Sequence, residues 1–220
     1  MGSFLKKSFQ FFSLFIFLIA FCISCSQNAA DIKESEMSVI FEYTDEETLP
    51  SARLCLFIES ESDTRRSEKI LLSSPKEGFE WSAKDLIHIK SGDRSWSGYT
   101  NFVMQGTQRF PCDSYSLILQ NADEDEAVQT VDFSYDEAFY EMKSFEAEEK
   151  MKENEAVKKI AIYDENGILL YYDVQTDNLS SVRKMWNMFS NASYYNVIWQ
   201  AKDNTVLCIM PKRLVIPDEN

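Results

Sequence analysis

Few side chains in this 220-residue chain are of a type and spacing to do chemistry. His88 is its one histidine, and any Ser-His-Asp or Cys-His arrangement would have to use it. It sits at strand alternation in Leu86-Ile87-His88-Ile89, and no Gly-x-Ser-x-Gly nucleophile turn accompanies it. The one Cys-x-x-Cys spacing, Cys22-Ile23-Ser24-Cys25, closes the N-terminal apolar run, and no second histidine is there to bind zinc. The six glycines form no P-loop or dinucleotide turn, so no cofactor is expected. Asp123-Glu124-Asp125-Glu126 and Asp45-Glu46-Glu47 offer the oxygen ligands that a hard cation wants. Their spacing matches no defined calcium loop, and both fall between apparent strands, where acidic runs are solvated turns. A carboxylate pair for hydrolysis of a glycan or peptide would need two acids set apart from the rest. Among 36 acidic residues no pair stands out, so neither a catalytic set nor a metal site is expected.

One cysteine has a more specific setting. Lys6 and Lys7 precede an almost uninterrupted apolar run from Phe11, which closes on Phe21-Cys22-Ile23-Ser24-Cys25. The run falls short of the roughly 20 apolar residues that span a bilayer. Two readings are left: a secretory signal cut near Ala29-Ala30, or one cut before Cys25 with lipid on its thiol. Lipidation needs a small residue just before the cysteine, which Ser24 supplies for Cys25 and Phe21 does not for Cys22. N-myristoylation fails, because Lys6 stands where the motif after Gly2 needs Ser or Thr. These residues resemble a bacterial lipoprotein signal over 1–24 with Cys25 as the lipid acceptor. Cys22 stands where leucine is commonest, a relaxed pattern similar to that of spirochaete lipoproteins. The resemblance implies two or three acyl chains, which anchor stably where one would be marginal. It also implies a place in the bacterial cell envelope, at the outer membrane or its periplasmic face, since Ser26 is not an acidic retention signal. Residues 26–36 carry one large apolar side chain, Ile32, so 25–36 is expected to be a lipidated cysteine and flexible tether.

Removing the signal takes Lys6 and Lys7 with it and leaves 20 of the 22 basic side chains against 36 acidic ones, a formal charge of −16. Nucleic acid is therefore not an expected partner, because its binding depends on clustered Lys and Arg against phosphate.

Organisation beyond the tether falls into three stretches. Between 37 and 135, seven short runs rich in Val, Ile, Leu, Phe and Tyr recur near every ten residues: 38–43, 53–58, 69–72, 86–89, 102–104, 115–119 and 127–133. That spacing predicts a mainly β, antiparallel sandwich. Phe110-Pro111-Cys112-Asp113-Ser114-Tyr115 resembles the Pro-x-x-x-Tyr approach to a late strand in immunoglobulin-like and fibronectin-III-like domains. The resemblance implies that Tyr115 bonds back to the backbone at a corner, with Trp81 or Trp96 in the core. Given such a sandwich, Cys55 and Cys112 are the expected disulfide, and Cys208, between Leu207 and Ile209, a buried thiol.

From Ser134 the composition changes. Ser134 and Glu137 are spaced as a capping box, and 136–156 has no Gly or Pro, predicting a connecting helix with Phe139, Met142, Phe145 and Met151 along one stripe. The last stretch, 157–220, is expected to be a small α+β unit of ββαββ type. Its first hairpin, 157–163 with 168–174, turns at Asp164-Glu165-Asn166-Gly167, where Asn-Gly tolerates positive φ at both positions. A helix from Asp177 or Asn178 to Phe189 buries Leu179, Val182, Met185, Trp186 and Phe189. A second hairpin joins 195–200 to 205–210. One small separate antiparallel sheet is expected there.

These features point to a non-catalytic, lipid-anchored binding, adhesion or structural module. Its partners would be the membrane, through the N-terminal lipid, and a protein or glycan held by the aromatics Trp96, Tyr99, Tyr194 and Tyr195. The alternative is an envelope hydrolase using a carboxylate pair.

Overall fold

Alternation of apolar side chains builds thirteen strands among residues 29–215, which the computed structural model describes. In chain order they are β1 (Glu34–Glu42), β2 (Ser51–Glu59), β3 (Ser67–Ser74), β4 (Phe79–Ala83), β5 (Ile87–Ser91), β6 (Arg94–Phe102), β7 (Asp113–Asn121) and β8 (Glu126–Phe133). After helix α1 (Ser144–Glu153) come β9 (Val157–Tyr163) and β10 (Leu169–Val174), then helix α2 (Val182–Met188), β11 (Tyr194–Gln200), β12 (Val206–Ile209) and β13 (Arg213–Leu214). The chain is mainly β and forms two sheets. The large sheet runs β10-β9-β11-β12-β1-β2-β6-β5, with β13 also on β11, and the small one runs β4-β3-β7-β8.

Inward residues of the two sheets share one core. Leu54, Leu56 and Ile58 of β2 belong to the same buried cluster as Ile70 and Leu72 of β3 and Leu117 and Leu119 of β7. The cluster continues without a break through Val206, Cys208, Val197 and Trp199 to Ile160 and Ile162, with Ala147 and Met151 of α1 and Met185 of α2. Half of the large sheet is thus backed by the small sheet, and the other half by helices.

The sheet crosses the boundary expected between the sandwich and the C-terminal unit. β12 pairs with β1 in parallel, Val39 opposite Val206 and Phe41 opposite Cys208, so the second hairpin extends the large sheet instead of closing a separate one. The expected tether is also part of the fold from Asp31 onward. Its carboxylate accepts from the Ser60 hydroxyl (2.6 Å) and the Glu61 and Ser62 N–H groups (2.8 and 3.0 Å), and Lys33 N–H donates to Glu59 O at 2.9 Å.

The connecting helix is broken. A 3-10 turn, Glu137–Glu141, is capped by Asp136, and α1 starts only after extended Met142 and Lys143, with Glu146 accepting from Lys143 N–H. The reason is aromatic packing: Phe139 and Tyr140 both lie against Phe41, at 5.5 and 5.0 Å between ring centroids, which a continuous helix would not allow. Ala147, not Phe145, completes the buried stripe, and Phe145 is 53% exposed. The second predicted helix is likewise split, a 3-10 turn at Asp177–Leu179 followed by α2 with Ser181 as its cap. In the β9–β10 turn only Gly167 has positive φ. Asp164 organises it by accepting from the N–H groups of Asn166 and Ile168.

Candidate functional site

Strand alternation gives the large sheet a second face, and its residues are not those of a solvated surface. With Met37, Val39 and Phe41 of β1 and Leu54, Leu56 and Ile58 of β2 in the core, their neighbours Ser38, Ile40, Arg53, Cys55 and Phe57 point outward. The register carries this face across the sheet. It holds Leu207 and Ile209 of β12, Ile198 and Tyr194 of β11, Ala161 and Tyr163 of β9, and Tyr172 and Val174 of β10. On the other side it holds Trp96 and Gly98 of β6 and Ile87 and Ile89 of β5. The outward face of the small sheet is more polar: Ser114, Ser116 and Gln120 lie beside Thr130 and Asp132, and its apolar residues are the row Leu71, Ile118 and Val128. The middle of the large sheet's outward face is buried, with Ala161 1% and Ile40 and Ile198 7% exposed, and it opens towards its two ends, at Ile87, Ile89, Tyr172 and Val174, where a half-solvated antiparallel sheet normally turns polar.

Three local devices shape the surface. Phe57 lies across Gly98: a Cβ on that glycine would collide with the Phe57 ring and with Leu56 O. Arg94 stacks over Trp96 at 4.6 Å and donates through Nε to Glu59 at 2.8 Å while also pairing with Glu34. The Arg94 hydrogen bond holds the buried Glu59 carboxyl below its ordinary range, and the charge of Lys33, 3.9 Å away, acts in the same direction. At the opposite end, Tyr163 and Tyr194 stack at 4.9 Å, Lys212 covers the Tyr194 ring at 3.6 Å and Lys159 covers Tyr172 at 5.3 Å. Arg53 pairs with Glu42 at 3.5 Å.

Of the four aromatics expected to bind a partner, Trp96 and Tyr194 lie on this face. Tyr99 and Tyr195 point to the other side: Tyr99 packs edge-on against Phe102 at 4.9 Å, and Tyr195 is part of the core. Trp96 and Tyr194 are four strand positions apart, β6 to β11, so they mark two ends of one surface and not one cage. Phe57, Tyr163, Tyr172, Ile87 and Ile89, which join them there, have a signal in sequence. Runs such as Val39-Ile40-Phe41 and Leu54-Cys55-Leu56-Phe57-Ile58 are apolar on both parities, as strands covered on both faces are.

No protein-family model matches the chain, and no curated protein is similar to it in sequence. The chemistry of the surface must therefore be judged on its own residues.

His88 Nδ1 lies 3.1 Å from Ser97 Oγ, the start of a catalytic arrangement, but Ser97 is fully buried and its hydroxyl also lies 3.3 Å from Thr64 O. A nucleophile there would be out of reach of substrate. Cys55, Cys112 and Cys208 are all free, which corrects the expected Cys55–Cys112 disulfide. Cys55 points outward from the large sheet opposite Ser38, whereas Cys112 precedes β7 in the small sheet and donates to Tyr135 O. Burial pushes the Cys55 thiol up to about 11 and raises that of Cys208 further.

The acidic runs are turns. Asn121 accepts from the N–H groups of Asp123 and Asp125, and Asp45 accepts from those of Glu47 and Thr48. No group of three metal-binding side chains is found among the described residues. Asp31, Asp45, Glu59, Asp63, Asp113 and Asp136 all have lowered pKa values, held ionised by hydrogen bonds. That is the reverse of what a general acid for glycoside cleavage needs. A cleft of about 600 Å³ between the Asp164–Asn166 turn, Trp186 and Ser190–Ser193 is shallow and open.

Proposed function

We propose that this protein is a lipid-anchored, non-catalytic component of a bacterial cell envelope whose outward sheet face binds a protein partner. The observation that carries this reading is the apolar, aromatic outward face of the large sheet, exposed at its two ends through Ile87, Ile89, Tyr172 and Val174, beside a small sheet whose own outer face is more polar. Contiguous exposed apolar surface on a folded chain marks an interaction site. Anchoring is assigned to Cys25, which lies outside the described residues together with the signal over 1–24. Among the described residues no helix is long and apolar enough to cross a membrane.

The sandwich portion is proposed to be immunoglobulin-like. Its sheets, β1-β2-β6-β5 against β4-β3-β7-β8, follow the order A-B-E-D against C′-C-F-G. Tyr115 Oη donates to Pro111 O at 2.8 Å, the back-bond of a tyrosine corner. Trp81, half-buried with its ring tilted against Phe110 and Tyr115 at 5.9 and 6.3 Å, takes the place of the core tryptophan from β4, one strand away from the usual strand C position. The strongly acidic chain supports a partner other than nucleic acid.

A photo-crosslinking side chain placed at Ile89 or Tyr172 tests the assignment in intact envelopes. The reading predicts a discrete protein adduct from either position and none from Val128 on the small sheet. Equal adducts from all three, or none from the first two, would contradict it.

A further inference from the structure

We propose that the cleft between the β9–β10 turn, Trp186 of α2 and the loop Ser190–Ser193 is a second binding site, for a neutral or amino-substituted saccharide. It does not depend on the reading of the outward face.

Main-chain bonds build the cleft. Asp164 Oδ1 accepts from the Asn166 and Ile168 N–H groups at 2.9 and 2.8 Å. Ser193 N–H donates to Tyr163 O at 2.8 Å, Val215 N–H to Ser193 O at 2.9 Å and Ala192 N–H to Phe189 O at 2.9 Å. Ala192 and Val215, which line the cleft, are also members of the buried core. The walls are thus held without the polar side chains that line them. Among the described residues, the Trp186 indole N–H and the side chains of Asn166, Ser190, Asn191 and Ser193 have no hydrogen-bond partner, and the second oxygen of Asp164 is likewise unused.

Two other clefts differ in this respect. In one, Asp136 pairs with Lys150 and Lys202 with Glu155. In the other, Arg109 pairs with Glu141, and Tyr140 Oη accepts from Phe110 N–H. Their polar groups are satisfied within the chain, whereas those around Trp186 stand on a fixed frame and are unengaged.

The lining selects the ligand. Trp186 is half-buried, packed on the core and open to the cleft, and so sets an apolar ring beside amides, hydroxyls and a carboxylate. A pyranose has the matching duality, an apolar face of C–H groups and a rim of hydroxyls that donate and accept as Asn and Ser side chains do. A volume of about 600 Å³ lies within the roughly 300–1,000 Å³ of small-ligand sites, and the open shape admits units of a longer chain. Asp164 and Glu165 line the cleft and no Lys or Arg does, which disfavours phosphate, sulfate and uronic acids. A wholly apolar ligand would leave the amides and hydroxyls it covers unpaired.

NMR titration of the purified full chain in detergent with maltotetraose and with an N-acetylglucosamine tetramer tests this, read from the indole N–H signals of the four tryptophans. One signal, assigned to Trp186 by its loss in Trp186→Phe, should shift saturably at millimolar sugar with at least one of the two, while those of Trp81, Trp96 and Trp199 stay in place. Asn191→Ala, at an exposed position, should weaken binding at least fivefold with the thermal midpoint unchanged, and Trp96→Phe should leave binding unaltered. No saturable shift with either sugar overturns the proposal, as does binding indifferent to Asn191→Ala. An equal shift from an uncharged tetrapeptide would make the cleft a peptide site and overturn the saccharide assignment.

Discussion

Val39 and Val206 lie opposite each other in parallel strands, so the beginning and the end of the described chain share one hydrogen-bonded ladder. Both side chains are buried in the same core. A two-domain chain would unfold in parts, whereas this one should unfold as a unit. Fluorescence from Trp81 and Trp96, and separately from Trp186 and Trp199, isolated in paired Trp→Phe variants, should report the same urea midpoint. Two resolved midpoints would show that the seam is not a structural bond.

Gly98 is required by its neighbour Phe57. Gly98→Ala should cost about 1–3 kcal/mol, the usual range for overpacking, read from urea unfolding. In a Phe57→Ala background the cost should shrink but persist, because Leu56 O also crowds the site.

Tyr115 is fully buried, and its hydroxyl is donated to Pro111 O. Tyr115→Phe removes that bond while keeping the ring, and should destabilise the protein by about 1 kcal/mol. A change near zero would mean that the corner is held by packing alone.

Acid should unfold the protein through its hydrogen-bonded carboxylates. The side-chain bond from Arg65 holds Asp63 at about 2, and Arg94 lowers Glu59. Because these folded-state values lie below the unfolded ones, 3.8 for Asp and 4.5 for Glu, the stabilisation is present above the unfolded values. It is lost as pH falls through the folded ones. Thermal midpoints should therefore drop between pH 4.5 and 2, and Glu59→Gln should make the drop shallower.

How far the sequence could be read depended on whether the signal was local. Alternation in β7 and β8, the Asp164–Gly167 turn and the Tyr115 corner are encoded within a few residues of each other and are legible. β4 and β6 were obscured because Glu80 and Ser82 interrupt the first, and Ser95, Ser97 and Gly98 dilute the second with weak strand formers. The β1–β12 pairing has no local signature, since a parallel partner can lie anywhere in the chain. The outward face was encoded in apolar residues on both parities of β1, β2, β9 and β11, but periodicity alone cannot tell a strand covered twice from one awaiting a partner. Tyr99 lies in β6 outside the runs legible as strands, and Tyr195 is the second residue of β11, so neither residue's face can be read locally, and one step along a strand moves a side chain from one face to the other.

The claim that most needs testing is that the outward face is covered when the protein is in place. Hydroxyl-radical footprinting can compare intact envelopes with the purified chain at high dilution, reading Trp96, Tyr172 and Tyr194 against exposed Val128. The account predicts strong protection of the three aromatics in envelopes and none at Val128. Equal oxidation of Trp96, Tyr172 and Tyr194 in both states would contradict it.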